Sequence, residues 1–319
     1  MLKTTLTELL YTFCGLISFI TVYYTIKDKK HKSKIFTALF WGILGFIFMF
    51  SRIGDLLGNK TLKIPDLYIG YLVIGLAVLS ATSKVKVGNF HEATNEFKQN
   101  MSEKIGNKIF LPALALALFT FIIAQVFTAK LGSLVALGLA TLIATLWAML
   151  MTKGKPTELA DDGRRLLEMV GPVSMLPQLL AALGAIFAVS GVGTVIAGGI
   201  KVVIPQGNIL AGIIAYCVGM ALFTAIMGNG FAAFAVITAG IGVPFVIAQG
   251  GNPVIVAALG LTAGFCGTLL TPMAANFNIV PTAILEIEDR KYGVIKYQAP
   301  VALTMLFIHI ILMYFWAFS

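Results

Sequence analysis

The chain has 319 residues, 58% hydrophobic and 12% charged, with a mean hydropathy of +0.92 and a formal net charge of +9. A soluble domain is about a quarter charged, so this chain cannot keep its apolar surface out of water by folding alone. Its long continuous apolar runs exclude an outer-membrane barrel, whose strands alternate over short segments, and leave an all-α polytopic membrane protein.

The first run, residues 6–26, ends in the basic stretch "KDKKHKSK". A secretory signal places its charges before the apolar region and a small-residue cleavage site after it. The order here is reversed, which predicts a retained helix with its N-terminus outside. Further spans are predicted at 35–51, 64–82, 109–129 and 131–151, each near the length that crosses a hydrocarbon core of about 30 Å. From 170 to 285 the chain stays apolar but is punctured by Gly, Pro, Asn and Ser, and a clean helix at 299–318 closes it. The pattern divides the chain into a scaffold-like region, 1–169, and a transport-like region, 170–319.

Loops 27–34, 83–108, 152–169 and 286–298 carry 17 of the 23 Lys and Arg residues. The positive-inside rule makes these four loops cytoplasmic, so an even number of crossings must separate the last two. A re-entrant hairpin at 173–204 with single broken crossings at 208–248 and 254–285 meets that condition, as does treating each apolar run as a full span. The positive charge is a topology signal and a potential lipid-headgroup contact. No basic patch with interleaved aromatics points to nucleic acid. Phe90, Phe97, Met101 and Ile105, and later Leu159, Leu166 and Leu167, recur at helical spacing among charges. Such stretches either lie flat on the bilayer or form ordinary solvated loops.

Enzyme signatures are absent: there is no HExxH or GxSxG, and His31, His91 and His309 are too dispersed to hold a metal. "DDGRR", residues 161–165, occurs once and lacks a partner motif. His309 reads as a packed or hydrogen-bonded histidine. Cys14, Cys217 and Cys266 form no ligand set and read as small packing residues.

Three interruptions carry the functional reading: "FAVSGVGTV" (187–195), "TAIMGNGFAAF" (224–234) and "CGTLLTPMAANFN" (266–278). Non-helical chain at membrane depth survives only where protein buries it or a water-filled cavity receives it. Three breaks close in sequence therefore suggest one shared cavity, with helix N-termini suited to an anion and unwound carbonyls to a cation. The candidate substrate- or ion-binding residues are Ser190, Gly191, Thr194, Gly228, Asn229, Gly230, Thr268, Thr271, Asn276 and Asn278. Glycine also lets membrane helices pack closely, so "SGVG" alone fits either reading.

In this order, "MLPQLLAALGAIFAVSGVGTVIA", "MGNGFAAFAVITAGIGVPF" and "GNPVIVAALGLTAGFCGTLLTPMAANFNIVPTAILE" resemble the C-terminal half of the ion-transporter superfamily, which includes gluconate- and citrate-type permeases. The resemblance implies a re-entrant hairpin with its tip at "SGVG" and a broken helix at "MGNG", the two meeting at substrate. Nearly the whole chain resembles a bacterial family of membrane proteins, the domain of unknown function 979 family, often labelled as one subunit of a 5-oxoproline transporter. That implies a small carboxylate substrate, a bacterial inner membrane, and a second, smaller membrane subunit. The sequence separately suggests a second half, because complete carriers pair two inverted repeats and only one set of breaks is present. A partner chain or a second copy would supply it.

No cofactor is expected beyond a coupling Na⁺ or H⁺. Asn, Thr and backbone carbonyls suit Na⁺, while Glu286 is the one candidate for a proton route. The alternative is a non-transporting structural or assembly subunit.

Overall fold

Lipid offers backbone amides no hydrogen bonds, so a spanning chain that is not a barrel must be helical wherever protein does not cover it. The computed structural model describes residues 2–57, 63–90, 94–203, 207–285, 287–289 and 291–319, with no strand among them. Its helices are α1 Leu2–Lys27, α2 Lys34–Phe50, α3 Ile53–Leu56, α4 Asp66–Ala81, α5 Asn95–Ile105, α6 Leu111–Leu131, α7 Ser133–Thr152 and α8 Pro156–Val170. They continue with α9 Leu176–Val189, α10 Val192–Val203, α11 Ile209–Met227, α12 Gly230–Ile237, α13 Val243–Phe245, α14 Pro253–Leu269, α15 Val280–Ile284 and α16 Gly293–Trp316. Seven helical segments among the described residues are long and apolar enough to cross a membrane, so the chain is a multi-pass membrane protein. It divides into two compact units, Met1–Gly171 and Pro172–Ser319.

In the first unit, α1 and α2 run antiparallel and meet where Gly15 and Gly45 leave out side chains. A methyl group on Gly15 would stand 2.9 Å from the Gly45 carbonyl. The loops after α1 and α4 are then tied to α8 by a buried ionic cluster. Glu168 is 1% exposed; its Oε1 accepts from Thr25 Oγ1 at 2.6 Å and Arg164 Nε at 2.9 Å, and its Oε2 from the Gly88 N–H at 2.7 Å. Arg164 also donates to Asp28 Oδ2 at 3.1 Å and lies over the Phe90 ring. His31 accepts the Ser33 N–H at Nδ1, so its proton sits on Nε2 and goes to the Lys86 carbonyl. Gly88 admits the guanidinium, because any Cβ there would collide with Arg164. The "DDGRR" stretch is thus structural at Arg164, and α8 is anchored by Arg164 and Glu168, both buried and both bonded to partners from other segments. In α5, by contrast, no residue is buried.

Burial opposes ionisation of Asp28, but the Asn89 N–H, Arg164 and the Lys30 N–H outweigh it and hold the carboxyl below its ordinary range.

In the second unit, the pairing of close contacts fixes direction. Gly184 meets Ala232, while Gly193 meets Val236 and Gly240, so α9 and α10 travel together alongside α12 in the same sense. Gly212 meets Phe245, Gly219 meets Ile237 and Ile241, and Tyr216 bonds Thr238 at 2.8 Å, which makes α11 and α12 antiparallel. The hairpin turn is therefore Gly228–Asn229, and Ser190–Gly191 is a break in an element that continues onward. This exchanges the two roles implied by the permease resemblance. Of the two readings left open at 208–248, a single broken crossing or a full span for each apolar run, it favours the second, since Ile209–Met227 and Gly230–Gln249 are each of spanning length. The stretch from α14 to α15 is a second broken element, interrupted at 270–274.

Gly260 and Gly264 of α14 follow Tyr216 and Met220 of α11 in parallel, and α16 returns antiparallel, with His309 Nε2 2.9 Å from Thr262 Oγ1 and the Asn252 N–H on the Ala317 carbonyl. Four runs of alternating direction, α9–α10, α11, α12–α13 and α14–α15, thus lie between α8 and α16, an even number, as the expectation that the two basic loops share a side requires. Prolines explain the irregular turns. Pro244 and Pro281 lack an N–H and crowd the carbonyl four residues earlier, and the chain widens into π-helical turns at Thr238–Gly242 and Ala275–Ile279. Cys217 and Cys266 are buried and free, Cys14 half-buried and free, and His309 is held by the Met305 carbonyl as well as Thr262.

Removing one member of a buried ion cluster leaves the others uncompensated, at about 3–5 kcal/mol. Arg164→Leu should therefore lower the melting temperature in detergent markedly, whereas Arg165→Gln, which breaks an exposed pair with Asp162, should leave it nearly unchanged. Because folded Asp28 holds its proton more weakly than the unfolded chain, its contribution is complete above the ordinary aspartate range, about pH 4–5, and is lost on further acidification. A melting series against pH should show that acid-side loss blunted in Asp28→Asn.

Candidate functional site

Two helix ends arrive at one place from opposite causes. α11 stops at Gly228, whose φ of +70° suits glycine and whose N–H caps the Thr224 carbonyl at 2.7 Å. α12 starts at Asn229, whose Oδ1 accepts the N–H groups of Phe231 at 2.9 Å and Ala232 at 3.3 Å. A methyl group on Gly228 would stand 2.7 Å from the Met273 carbonyl, so the hairpin turn presses directly on the break after α14. Together the two interruptions form a small cleft of about 50 Å³, lined by Gly228, Asn229, Gly230, Thr268, Ala274 and Asn276 with Pro177 and Leu180 from α9. Phe231, Phe265 and Phe277 form its apolar wall, their rings in sequence 6.0 Å apart.

Asn278 fastens the break. Its Nδ2 donates to the Thr268 carbonyl at 3.0 Å and the Thr271 carbonyl at 2.6 Å, satisfying two acceptors that the helix end would otherwise leave open. Thr271 Oγ1 accepts the Met273 N–H at 3.2 Å, and Thr268 Oγ1 donates to the Phe265 carbonyl. The double donation fixes the amide's orientation. Asn278 Oδ1 then faces away, 97% buried with its residue and without a hydrogen-bond partner. A second oxygen is in the same position: Thr224 Oγ1, wholly buried in the last turn before Gly228, has none either. It lies 3.1 Å from where a Gly264 Cβ would stand, so it faces the last turns of α14.

Seven of the ten residues expected from sequence therefore gather around the two interruptions: Gly228, Asn229, Gly230, Thr268, Thr271, Asn276 and Asn278. Ser190, Gly191 and Thr194 do not. Gly191 and Thr194 line a separate groove with Ala235 and Ala239, and Ser190 is exposed at the end of α9. The expectation of one cavity shared by three breaks is corrected to two, because α10 runs on past the cleft instead of turning back into it. Thr224 was missed; its signal was a threonine one turn before "MGNG" in an otherwise apolar helix. The phenylalanine wall was missed because aromatic residues at helical spacing look the same in any membrane core. Glu286 and His91 lie outside the described residues.

The chain matches the family model described as protein of unknown function (DUF979) over residues 8–318, and it belongs to that family. No curated protein and no solved structure matches it.

A side chain at Gly228 would adopt a left-handed backbone at about 1–2 kcal/mol and strike the Met273 carbonyl. Gly228→Ala should therefore lower the melting temperature and open the turn to proteolysis, measurable on purified protein. Asn229→Ala should cost about 1 kcal/mol through the lost cap, and Asn229→Ser, which still caps, much less.

Proposed function

We propose that this member of a family without an assigned activity is the transport-site subunit of an ion-coupled secondary carrier for a small carboxylate. It acts in a bacterial cytoplasmic membrane with its N-terminus outside, together with a second, smaller membrane subunit or a second copy, and carries out no chemistry on its substrate. 5-Oxoproline is the first substrate to test, on the resemblance of nearly the whole chain to a family whose members are often labelled as subunits of a 5-oxoproline transporter. The cleft as it stands, about 50 Å³, has room for an ion or a water; three phenylalanines beside it offer a face to an apolar ring, and Asn229, Asn276 and Thr268 offer polar contacts, once the interruptions part to admit one.

The observation that carries the reading is the pair of buried oxygens, Thr224 Oγ1 and Asn278 Oδ1. Leaving a buried polar group unmatched costs about 1–3 kcal/mol, and native chains rarely keep such groups without a use. Thr224 Oγ1 sits in the last turn of α11 facing α14, and Asn278 Oδ1 lies beyond the end of α14; oxygens of this kind beside the two interruptions suit a hard cation such as Na⁺ without a carboxylate. Sodium is therefore favoured over a proton as the coupling ion.

One observation supports the rival reading of a structural subunit. Asn229 is used as a helix cap, as Asn208 is for α11 and Asn252 for α14, so its polarity alone does not require a ligand. The decisive substitution is accordingly Thr224→Val, which keeps the shape and removes only the unpartnered hydroxyl. In a purely structural role this should be neutral or stabilising. As an ion ligand, the hydroxyl is worth about 1.5–3 kcal/mol, tenfold or more in affinity. Sodium-stimulated uptake of labelled 5-oxoproline by cells expressing both subunits should then fall by about that factor while the melting temperature holds. Undiminished uptake would move the ion site elsewhere, and absence of uptake in the parent pair would reject 5-oxoproline.

A further inference from the structure

The ionic cluster of the first unit has a consequence at the surface. It draws the loop after α1 against the segment after α4, through the Asn89 N–H on Asp28 at 2.9 Å, His31 on the Lys86 carbonyl at 3.0 Å, and Thr37 Oγ1 on the same carbonyl at 3.1 Å. Those two segments carry Lys27, Lys29, Lys30, Lys32, Lys34, Lys84 and Lys86, all exposed. The only acid within residues 27–34 and 84–90 is Asp28, and its carboxylate is turned inward onto Arg164, with side-chain exposures of 10% and 4%. Seven cations are thus gathered on one face with no free acid among them.

The same face is also apolar at its edge. Ile26, Ile35 and Val87 are 56%, 73% and 47% exposed. Lys27 Nζ lies 5.7 Å from the Tyr23 ring centroid and Lys84 Nζ 4.7 Å from that of Phe36. Lysines fanned above exposed aliphatic and aromatic side chains, at the ends of apolar helices, match a bilayer interface, with acyl chains below and headgroups above.

We propose that this face, built from residues 26–35 and 84–87 and held by the Arg164–Asp28–Glu168 cluster, is a binding surface for anionic phospholipid headgroups. The positive-inside bias requires only that lysines be present on this side. The clustering goes further, because two loops distant in sequence are fastened together and their one carboxylate is removed from the surface. Each lysine near an anionic leaflet adds attraction that salt screens. The proposal is independent of the transport reading and of the second unit.

The test is lipid retention by the purified full-length chain. Protein in neutral detergent is titrated with phosphatidylglycerol and separately with phosphatidylcholine, and bound lipids are counted by native mass spectrometry. Phosphatidylglycerol should be retained in preference, and the preference should fall with added salt. The triple variant Lys29→Gln/Lys30→Gln/Lys32→Gln should weaken it roughly tenfold or more. None of these three side chains enters the ionic cluster, so an unchanged melting temperature should accompany the loss. Lys153→Gln/Lys155→Gln, on the α7–α8 loop, serves as the comparison and should retain the preference. Equal retention of both lipids, a triple variant indistinguishable from the parent, or equal losses in both variants would overturn the proposal.

Discussion

Everything distinctive in the second unit follows from one constraint: a backbone group released from a helix in apolar surroundings must find another partner. The chain meets it with side-chain amides and with neighbouring turns. Asn229 takes two N–H groups at the start of α12, Asn278 donates to two carbonyls beyond the end of α14, and the Gly228 N–H closes the end of α11. Breaks are cheap only where these partners stand close by. The hairpin turn and the α14 break each satisfy their own backbone groups locally, and they meet where Gly228 leaves out a side chain against the Met273 carbonyl, which forms the cleft.

Close approach is the second half of that solution. α14 lies against α11 through glycines at 260, 264 and 267, where a methyl group would strike Tyr216, Met220 and the Ala221 backbone respectively. Without lipid-excluding hydrophobic force between helices, such packing and a few interhelical hydrogen bonds hold membrane bundles together. Tyr216–Thr238 and His309–Thr262 are bonds of that kind. The first unit relies on a different device. Its helices bury fewer apolar side chains, and the order of its loops depends on charges that cancel inside, an arrangement that defines a geometry more than it adds net stability.

What the sequence revealed depended on the range of the interaction. Spans predicted at 6–26, 35–51, 64–82, 109–129, 131–151 and 299–318 became α1, α2, α4, α6, α7 and α16 with shifts of a few residues, because apolar length is a local property. The positions of the breaks were equally visible, since Gly, Asn and Pro interrupt helices wherever they fall. Their geometry was not. Whether "SGVG" or "MGNG" reverses the chain depends on which neighbours lie alongside, and periodicity contains no such information. The same limit hid the ionic cluster: Thr25, Asp28, Gly88, Arg164 and Glu168 are scattered over more than half of the first unit, and only the fold brings them together.

The asparagines show why structure and function are hard to separate here. An amide has more hydrogen-bonding capacity than one helix end consumes. Asn278 spends its donors on carbonyls and keeps an acceptor; Asn229 spends its acceptor on a helix start and keeps its donors. Each is required to hold the break together, and each carries a remaining polar group at the place where the break occurs. A chain that needed only a turn could use glycine and a loop whose backbone groups bond to water. Here the two interruptions are stapled by amides with capacity to spare and lie beside a wholly buried hydroxyl at Thr224.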